Sequence, residues 1–164
     1  MFVGRQEWTY RSHEDYDPNQ IGAISHARVI AALVEAGKFV LLPFVHSSLR
    51  YDLVIEEEDG RFSRVQSKTG HISNGAVYFP TQSLRAANRE TVWRRVARDY
   101  QGAIEYFGVY CPDNGKVYLV PIRDVPTVRA AYLRLTPAKN NQQKRIIRWA
   151  EDYEVKPVNK EPAI

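Results

Sequence analysis

Three side chains that could act together on a phosphodiester lie in two neighbouring segments of the sequence. Asp52 opens the segment Asp-Leu-Val-Ile, and Gln66 and Lys68 flank a single residue in a later segment. Carboxylates are preferred ligands of Mg²⁺, and the Gln66 side-chain oxygen, or the backbone carbonyl of Val65 or Ser67, could add a neutral oxygen ligand. Lys68 could activate an attacking water or neutralise charge that develops on the phosphate. These residue types indicate metal-assisted phosphodiester hydrolysis, although the same three types also occur by chance on strands that face water.

A predicted hairpin over residues 51–69 decides which of these side chains lie together. The Asp-Gly pair at positions 59–60 is a strong turn signal between two strand-like runs. A two-residue loop would place Asp52 opposite Ser67, whereas a three-residue loop, with Gly60 in the left-handed region, would place Asp52 opposite Gln66. We favour the three-residue loop because it also opposes Glu57 to Arg61, but the sequence alone allows both registers.

The favoured register has a chemical consequence. Opposed residues share a face of a sheet, and so do residues two apart on one strand. Asp52, Gln66 and Lys68 would then share one face, and the other face would carry Tyr51, Leu53, Ile55 and Val65. The hairpin is therefore expected to carry the candidate catalytic side chains on one face and the apolar side chains on the other.

The composition indicates a soluble globular chain of one domain. It has 164 residues, of which 44% are hydrophobic and 26% are charged. The longest apolar run, residues 39–45, contains a proline and is far shorter than the roughly 20 residues that span a bilayer. No apolar leader is visible at the N-terminus, and the single cysteine, Cys111, excludes an intrachain disulfide and a cysteine zinc site. We therefore expect a cytoplasmic protein without a membrane partner, whose net charge of +4 is compatible with a polyanionic partner.

The order of predicted elements indicates an α/β domain with a mixed sheet. A helix is predicted over residues 21–37, with Asn19 as its cap and Gly37 at its end. Further strands are predicted at residues 76–80, and a second hairpin joins residues 104–111 to 116–122. Residues 85–100 combine many arginines with good helix-forming content, so the sequence favours a basic helix there. This order of helix, strands, helix and strand pair is typical of helices packed on a mixed sheet.

The wider pattern resembles the PD-(D/E)XK nuclease superfamily. The resemblance rests on the first helix with Gly22, on residues 50–55 and 64–70, and on the later segments 107–112, 117–121 and 148–153. Within the superfamily the chain is similar to the branch that includes the group I intron-encoded homing endonucleases, in which glutamine replaces the acidic residue before X-Lys. The resemblance implies a restriction-endonuclease-like core with a mixed central β-sheet flanked by helices. The resemblance covers the nuclease domain, which we expect over residues 20–155. The polar and aromatic residues 1–19 indicate an N-terminal extension, and the prolines and alternating charges of residues 156–164 indicate a flexible tail.

The resemblance implies a catalytic set of Asp52, Gln66 and Lys68, with Mg²⁺ as the metal and Mn²⁺ as a substitute. One position departs from the family pattern, because His26 occupies the first-helix position where the family usually has a glutamate. Histidine is neutral near pH 7 and a softer ligand than a carboxylate, so we expect it to weaken Mg²⁺ binding. His26 could also bind a phosphate when protonated or orient the water. It could equally mark an attenuated or inactivated nuclease.

The resemblance implies that the basic segment contacts DNA, because DNA affinity rests on contacts between phosphates and Lys or Arg. The candidates for phosphate contact are arginines of one segment: Arg85, Arg89, Arg94, Arg95 and Arg98. Amide side chains could read base edges, and the candidates are Gln82, Asn88 and Gln101.

Three functions remain open on these grounds. The first is a site-specific double-strand DNA endonuclease of the homing type. Because one such site cuts one strand, this function implies a homodimer or a dimer of dimers, and a near-palindromic target. The second is a nuclease like the Holliday-junction resolvases, and the third is a non-catalytic DNA-binding protein of the same fold.

Overall fold

The fold combines one α-helix with ten strands over the described part of the chain. The structure, a computed structural model, describes residues 16–45, 48–89, 92–125, 129–137 and 147–158, and describes only the backbone of residues 84–89 and 92–96. The elements in chain order are α1 (Pro18–Glu35), β1 (Phe39–Leu41), β2 (Leu53–Glu56), β3 (Phe62–Thr69), β4 (His71–Ser73), β5 (Ala76–Pro80), β6 (Ser83–Arg89), β7 (Val92–Arg98), β8 (Tyr106–Cys111), β9 (Lys116–Pro121) and β10 (Ala130–Arg134). Two short 3-10 helices, Ile122–Asp124 and Ala150–Asp152, complete this set.

The central sheet contains five of these strands in the order β1-β2-β3-β8-β9. Strands β3 and β8 run parallel, and every other neighbouring pair in this sheet is antiparallel. The parallel pair requires a long crossover, and strands β4 to β7 lie within it. The prediction of an α/β fold with a mixed central sheet is confirmed.

Helix α1 covers one face of this sheet. Its N-cap is Asp17, whose side chain accepts hydrogen bonds from the backbone of Asn19 and Gln20, while the Gln20 side chain accepts one from the Asp17 backbone. The prediction that Asn19 caps the helix was therefore wrong, because Pro18 suits the first helical position and Asp17 directly precedes it. The predicted end at Gly37 is confirmed, since Gly37 has a φ of 77° directly after the C-cap Ala36.

The contact between α1 and the sheet is apolar. Val29 and Leu33 of the helix are fully buried, in one cluster with Leu53, Ile55 and Val65 of the hairpin. Burial of such side chains is the main stabilising contribution in a domain of this size. The helix residues that lie beside β3 are thus held at a fixed distance from the strand.

A smaller sheet covers the opposite face of the central sheet. It has the order β10-β5-β4, with both pairs antiparallel. Phe79 of β5 packs against Phe107 of β8 with 5.7 Å between ring centroids, within the larger of the two buried clusters. Helices were predicted to flank the sheet, but among the described residues an α-helix covers one face and strands cover the other.

Strands β6 and β7 form a separate two-stranded antiparallel ribbon. The prediction of a basic helix over residues 85–100 was wrong. Arginine and alanine favour a helix weakly, whereas the run Val-Trp-Arg-Arg-Val at the start of β7 contains β-branched and aromatic residues, which suit strands. Seven residue pairs join the two strands, from Ser83 opposite Arg98 to Arg89 opposite Val92. Pairing between the strands overrides the local preference.

The segment after the second 3-10 helix returns to the core. The Val155 N–H donates to the Val117 carbonyl at 2.9 Å, and the Val158 N–H donates to the Glu35 carbonyl at the end of α1 at 3.0 Å. Residues 1–15 and 159–164 lie outside the described residues, so the limits of the extension and of the tail stay predictions.

In the part of the chain that the structure describes, none of the helices combines the length and the apolar character that crossing a bilayer requires.

Candidate active site

The hairpin of β2 and β3 adopts the register with a three-residue loop. Leu53 pairs with Val65, and Glu56 pairs with Phe62. The Glu57 N–H donates to the Arg61 carbonyl at 2.8 Å, and Gly60 has the left-handed φ of 78° that this loop requires. The favoured register is therefore confirmed.

Tyr51 departs from the predicted pattern of faces. It was expected on the face of Leu53, but it packs against the cluster on the far side of the sheet. The reason is that side chains alternate strictly between the two faces only within a regular strand, and Tyr51 precedes the first residue of β2. The Asp52 N–H already donates to the Val65 carbonyl, at 2.9 Å, one residue before the first regular strand pair.

The carboxylate of Asp52 is held by the neighbouring strand. Its Oδ2 atom accepts a hydrogen bond from the Ser67 backbone N–H at 2.7 Å and a short one from the Gln66 side-chain amide. Hydrogen bonds from N–H groups to a carboxylate are strong and orient it. Both bonds go to Oδ2, so the Oδ1 atom is the one that can reach a cation.

The oxygen atoms of Asp52 and Gln66 fit a magnesium ion that keeps several water molecules as further ligands. Mg²⁺ is commonly bound by one or two carboxylates together with phosphate oxygens of the substrate. Asp52 supplies one carboxylate, and the Gln66 amide turns its nitrogen to Asp52, which leaves its oxygen for a cation. The Val65 carbonyl already accepts the Asp52 N–H, so the Gln66 side-chain oxygen is a better candidate ligand than the Val65 carbonyl. Over the described residues no group of three His, Cys, Asp or Glu side chains is close enough to hold a metal.

Lys68 lies on the face of β3 that points away from α1. The parallel pairing places Gln66 beside Phe107 and Lys68 beside Val109, and both of these β8 residues belong to the cluster on the far side from the helix. The Lys68 ammonium donates to the Tyr100 hydroxyl at 3.1 Å. Gln66 and Lys68 thus share one face of β3, and Asp52 is joined to Gln66 by the hydrogen bond between their side chains.

His26 approaches the same strand from the helix side. Its Nδ1 atom lies 3.0 Å from the Ser67 hydroxyl, and His26, Asp52 and Ser67 line one depression together with Gly22. Ser67 therefore connects His26 with Asp52, because its hydroxyl is hydrogen-bonded to His26 and its N–H donates to the Asp52 carboxylate. His26 therefore lies on the helix side of β3, where it contacts Ser67, whereas Lys68 lies on the opposite face of the strand.

Two sets of contacts around this site were not predicted: those of the Ser67 N–H and hydroxyl, since only the Ser67 carbonyl was considered, and that of Tyr100 with Lys68. Strand alternation offers a signal for Ser67, since the residue between Gln66 and Lys68 must face the first helix. The contact of Tyr100 with Lys68 joins residues 32 positions apart, and no local pattern predicts it.

Comparison with known proteins identifies the family. Residues 16–156 match the family model described as PD-(D/E)XK endonuclease. The chain belongs to the PD-(D/E)XK endonuclease family. The solved structure of a bacterial homing endonuclease, I-Ssp6803I, has a similar fold, with a TM-score of 0.62 and 20% sequence identity over 85% of this chain and 89% of that chain. No curated protein matches this chain.

In this PD-(D/E)XK endonuclease the predicted DNA-contacting residues belong mostly to the β6–β7 ribbon. Paired positions share a face, so the backbone places the positions of Arg85, Arg89, Arg94 and Arg98 on one face of the ribbon, and those of Asn88 and Arg95 on the other. Gln82 directly precedes the ribbon and Gln101 follows it. The arginines predicted to lie in one basic helix are thus divided between two faces of a ribbon.

An ion pair fixes the start of the parallel strand pair in the endonuclease. The Arg64 side chain donates to both carboxylate oxygens of Glu105, at 2.6 and 3.1 Å, and the Glu105 N–H donates to the Arg64 carbonyl at 2.9 Å. The hydrogen bonds from Arg64 lower the pKa of Glu105 below its ordinary value. The pair secures β3 against the segment that leads into β8, and so supports the strand that carries Gln66 and Lys68.

Proposed function

We propose that this PD-(D/E)XK endonuclease is a metal-dependent, site-specific double-strand DNA endonuclease of the homing type. The observation that supports it most is the orientation of the Asp52 carboxylate by the Ser67 N–H and the Gln66 amide, with Lys68 on the same face of β3 as Gln66. We place its action in the cytoplasm, on the nucleoid or other host DNA.

Each residue of the site has a role in phosphodiester hydrolysis. Asp52, through Oδ1, and Gln66, through its amide oxygen, would hold Mg²⁺ or Mn²⁺, which when bound polarises the phosphate and lowers the pKa of a bound water. The Lys68 ammonium stabilises the negative charge that develops on the phosphate oxygens. The Ser67 N–H keeps the carboxylate aimed at the cation position.

His26 weakens this site without abolishing it. With Asp52 as its firm carboxylate, the site lacks the second negative charge that a glutamate at position 26 would supply. The Nδ1 atom of His26 contacts Ser67, so Nε2 is the atom that can bind a water or a phosphate oxygen. The single carboxylate also favours a second candidate function, that of a DNA-binding protein of this fold that does not cut.

The ribbon of β6 and β7 is the proposed DNA-reading element. The major groove of DNA admits a two-stranded β-ribbon. Arg85, Arg89, Arg94, Arg95 and Arg98 would contact phosphates, and amides at positions 82, 88 and 101 would read base edges. The backbone pairing of the strands supports this assignment, because it presents arginine positions on both faces of a narrow element.

A cut in both strands requires two such sites. We propose a homodimer or a dimer of dimers, whose two-fold symmetry would match a near-palindromic target.

The test offers the full chain three substrates in Mg²⁺ or Mn²⁺: a library of linear duplexes, a four-way junction and a supercoiled plasmid. We expect cuts at a defined duplex site that disappear in Asp52→Ala and in Lys68→Ala, but persist in Asp152→Ala, which changes an exposed carboxylate of the second 3-10 helix. Cleavage of the junction alone would replace the proposal with a resolvase-like nuclease. Tight binding without a cut in either metal would replace it with the non-catalytic function.

A further inference from the structure

Tyr100 is a buried side chain at the point where the ribbon joins the active site. It is 5% exposed, and its ring packs edge-on against Phe107 with 5.4 Å between centroids and an angle of 85°. Phe107 in turn packs against Phe79, so the ring of Tyr100 is anchored in the larger buried cluster. The ring cannot move without disturbing that cluster.

Two cations meet this anchored ring. The Lys68 ammonium lies 3.1 Å from the Tyr100 hydroxyl and 4.7 Å from the ring centroid. The guanidinium carbon of Arg50 lies 4.5 Å from the same centroid, and an Arg50 N–H donates to the Asp99 carbonyl. The Lys68 ammonium is therefore directed to the hydroxyl end of the ring, and Arg50 fixes the chain segment that carries the ring.

Tyr100, Arg50 and Lys68 each lie close in the chain to a different part of the proposed site. Tyr100 follows β7 by two residues, Arg50 precedes Asp52 by two, and Lys68 follows Gln66 by two. The tyrosine is therefore the place where the ribbon, the carboxylate segment and the lysine strand meet. A lysine side chain has a flexible four-carbon stem, so its ammonium keeps one position only where a fixed partner holds it.

We propose that Tyr100 is a positioning residue, whose hydroxyl holds the Lys68 ammonium at the scissile phosphate and ties its position to the β6–β7 ribbon. The proposal rests on the proposed nuclease function. It adds a coupling between the element that binds DNA and the cation that acts on the phosphate. Tyr100 itself does not touch the substrate.

Tyr100→Phe separates this role from simple core packing, because it keeps the ring, its contact with Phe107 and its stacking with Arg50. Tyr118→Phe is the matched control. Tyr118 is fully buried, and its hydroxyl accepts one hydrogen bond, from Asn114 at 2.8 Å, away from the site. Both variants remove one hydroxyl and one hydrogen bond from a buried tyrosine.

The measurement compares DNA binding in Ca²⁺ with single-turnover cleavage of supercoiled plasmid in Mn²⁺. For Tyr100→Phe we expect a Kd within about two-fold of the wild type and a cleavage rate lower by about ten-fold, because a misplaced catalytic group reduces the rate while binding persists. Tyr118→Phe should match the wild type in both. Wild-type cleavage by Tyr100→Phe, or an equal loss in Tyr118→Phe, would overturn the proposal.

A spectroscopic measurement tests the contact without nuclease activity. The full chain is labelled with ¹³C-methyl groups on its lysines by reductive methylation, and the Lys68 resonance is assigned with Lys68→Arg. We expect this resonance to shift in Tyr100→Phe and to stay in place in Tyr118→Phe. An unchanged resonance in Tyr100→Phe overturns the inference, whereas a shifted resonance in a chain that cuts no DNA overturns the proposed function alone.

Discussion

Replacing Gly108 by alanine should loosen the packing of α1 on β3, the strand that carries Gln66 and Lys68. Gly108 lies in β8 directly beside Ser67 of β3 and faces the helix. A Cβ atom at this position would lie 2.6 Å from a methyl carbon of Val29 and 3.2 Å from one of Val65. Both valines are fully buried, so neither can turn into solvent to make room.

The size of the effect follows from two opposing contributions. Overpacking a rigid core costs about 1–3 kcal/mol, while replacing glycine by alanine recovers about 0.4–1 kcal/mol through the unfolded chain. A net loss of about 1–2 kcal/mol in the free energy of unfolding is expected. The helix must shift outward, which moves His26 away from the Ser67 hydroxyl that it contacts at 3.0 Å.

Urea unfolding of a double-mutant cycle with Val29→Ala checks this reasoning. Val29→Ala alone should cost about 2 kcal/mol as a large-to-small change. In the double variant the alanine at 108 occupies the space that the valine methyls leave, so its loss should be smaller than the sum of the single losses by about 1 kcal/mol. Additive losses would show that Gly108 and Val29 are not in contact, and would refute the packing that places His26 beside β3.

Three further changes test other parts of the site. His26→Glu adds a second carboxylate, so Mg²⁺ should bind more tightly in calorimetry and cleavage should accelerate; unchanged binding would remove His26 from the metal site. Glu105→Gln should lower the free energy of unfolding by about 0.5–1 kcal/mol near neutral pH. Because Arg64 lowers the pKa of Glu105, this difference should be complete above the ordinary pKa of a glutamate and fade as the pH falls through the lowered pKa, where the wild-type carboxylate takes up its proton; a difference independent of pH would contradict it. Changing Arg94 and Arg95 to glutamine should reduce the slope of log K against log salt for DNA by up to about 2, whereas an unchanged slope would exclude phosphate contacts there.

The sequence predicted the hairpin of β2 and β3 because its turn chemistry is local, although it left two registers open. Gly60 supplies the left-handed residue, and once the loop length is known every opposed pair in the strands follows. The same locality made the end of α1 predictable at Gly37, where a single residue adopts a conformation that favours glycine.

The sequence predicted the ribbon poorly because its structure depends on pairing between strands. Residues 85–100 contain good helix formers, and the preference of each residue is small compared with the seven backbone pairs that β6 and β7 form. The contacts that complete the site are also distant in sequence. His26 and Ser67 are 41 positions apart, and Lys68 and Tyr100 are 32 apart, so only the folded sheet brings them together.

Cleavage by Asp52→Asn tests the proposed mechanism most directly. Asparagine keeps the size of the side chain and an oxygen that can accept the Ser67 N–H, but it removes the negative charge that would hold the metal. In single-turnover assays with Mn²⁺, the wild type should convert supercoiled plasmid to cut products, and Asp52→Asn should cut no faster than the wild type in EDTA. Equal cleavage by the wild type and Asp52→Asn, or wild-type cleavage that persists in EDTA, would contradict a metal-dependent site built on Asp52.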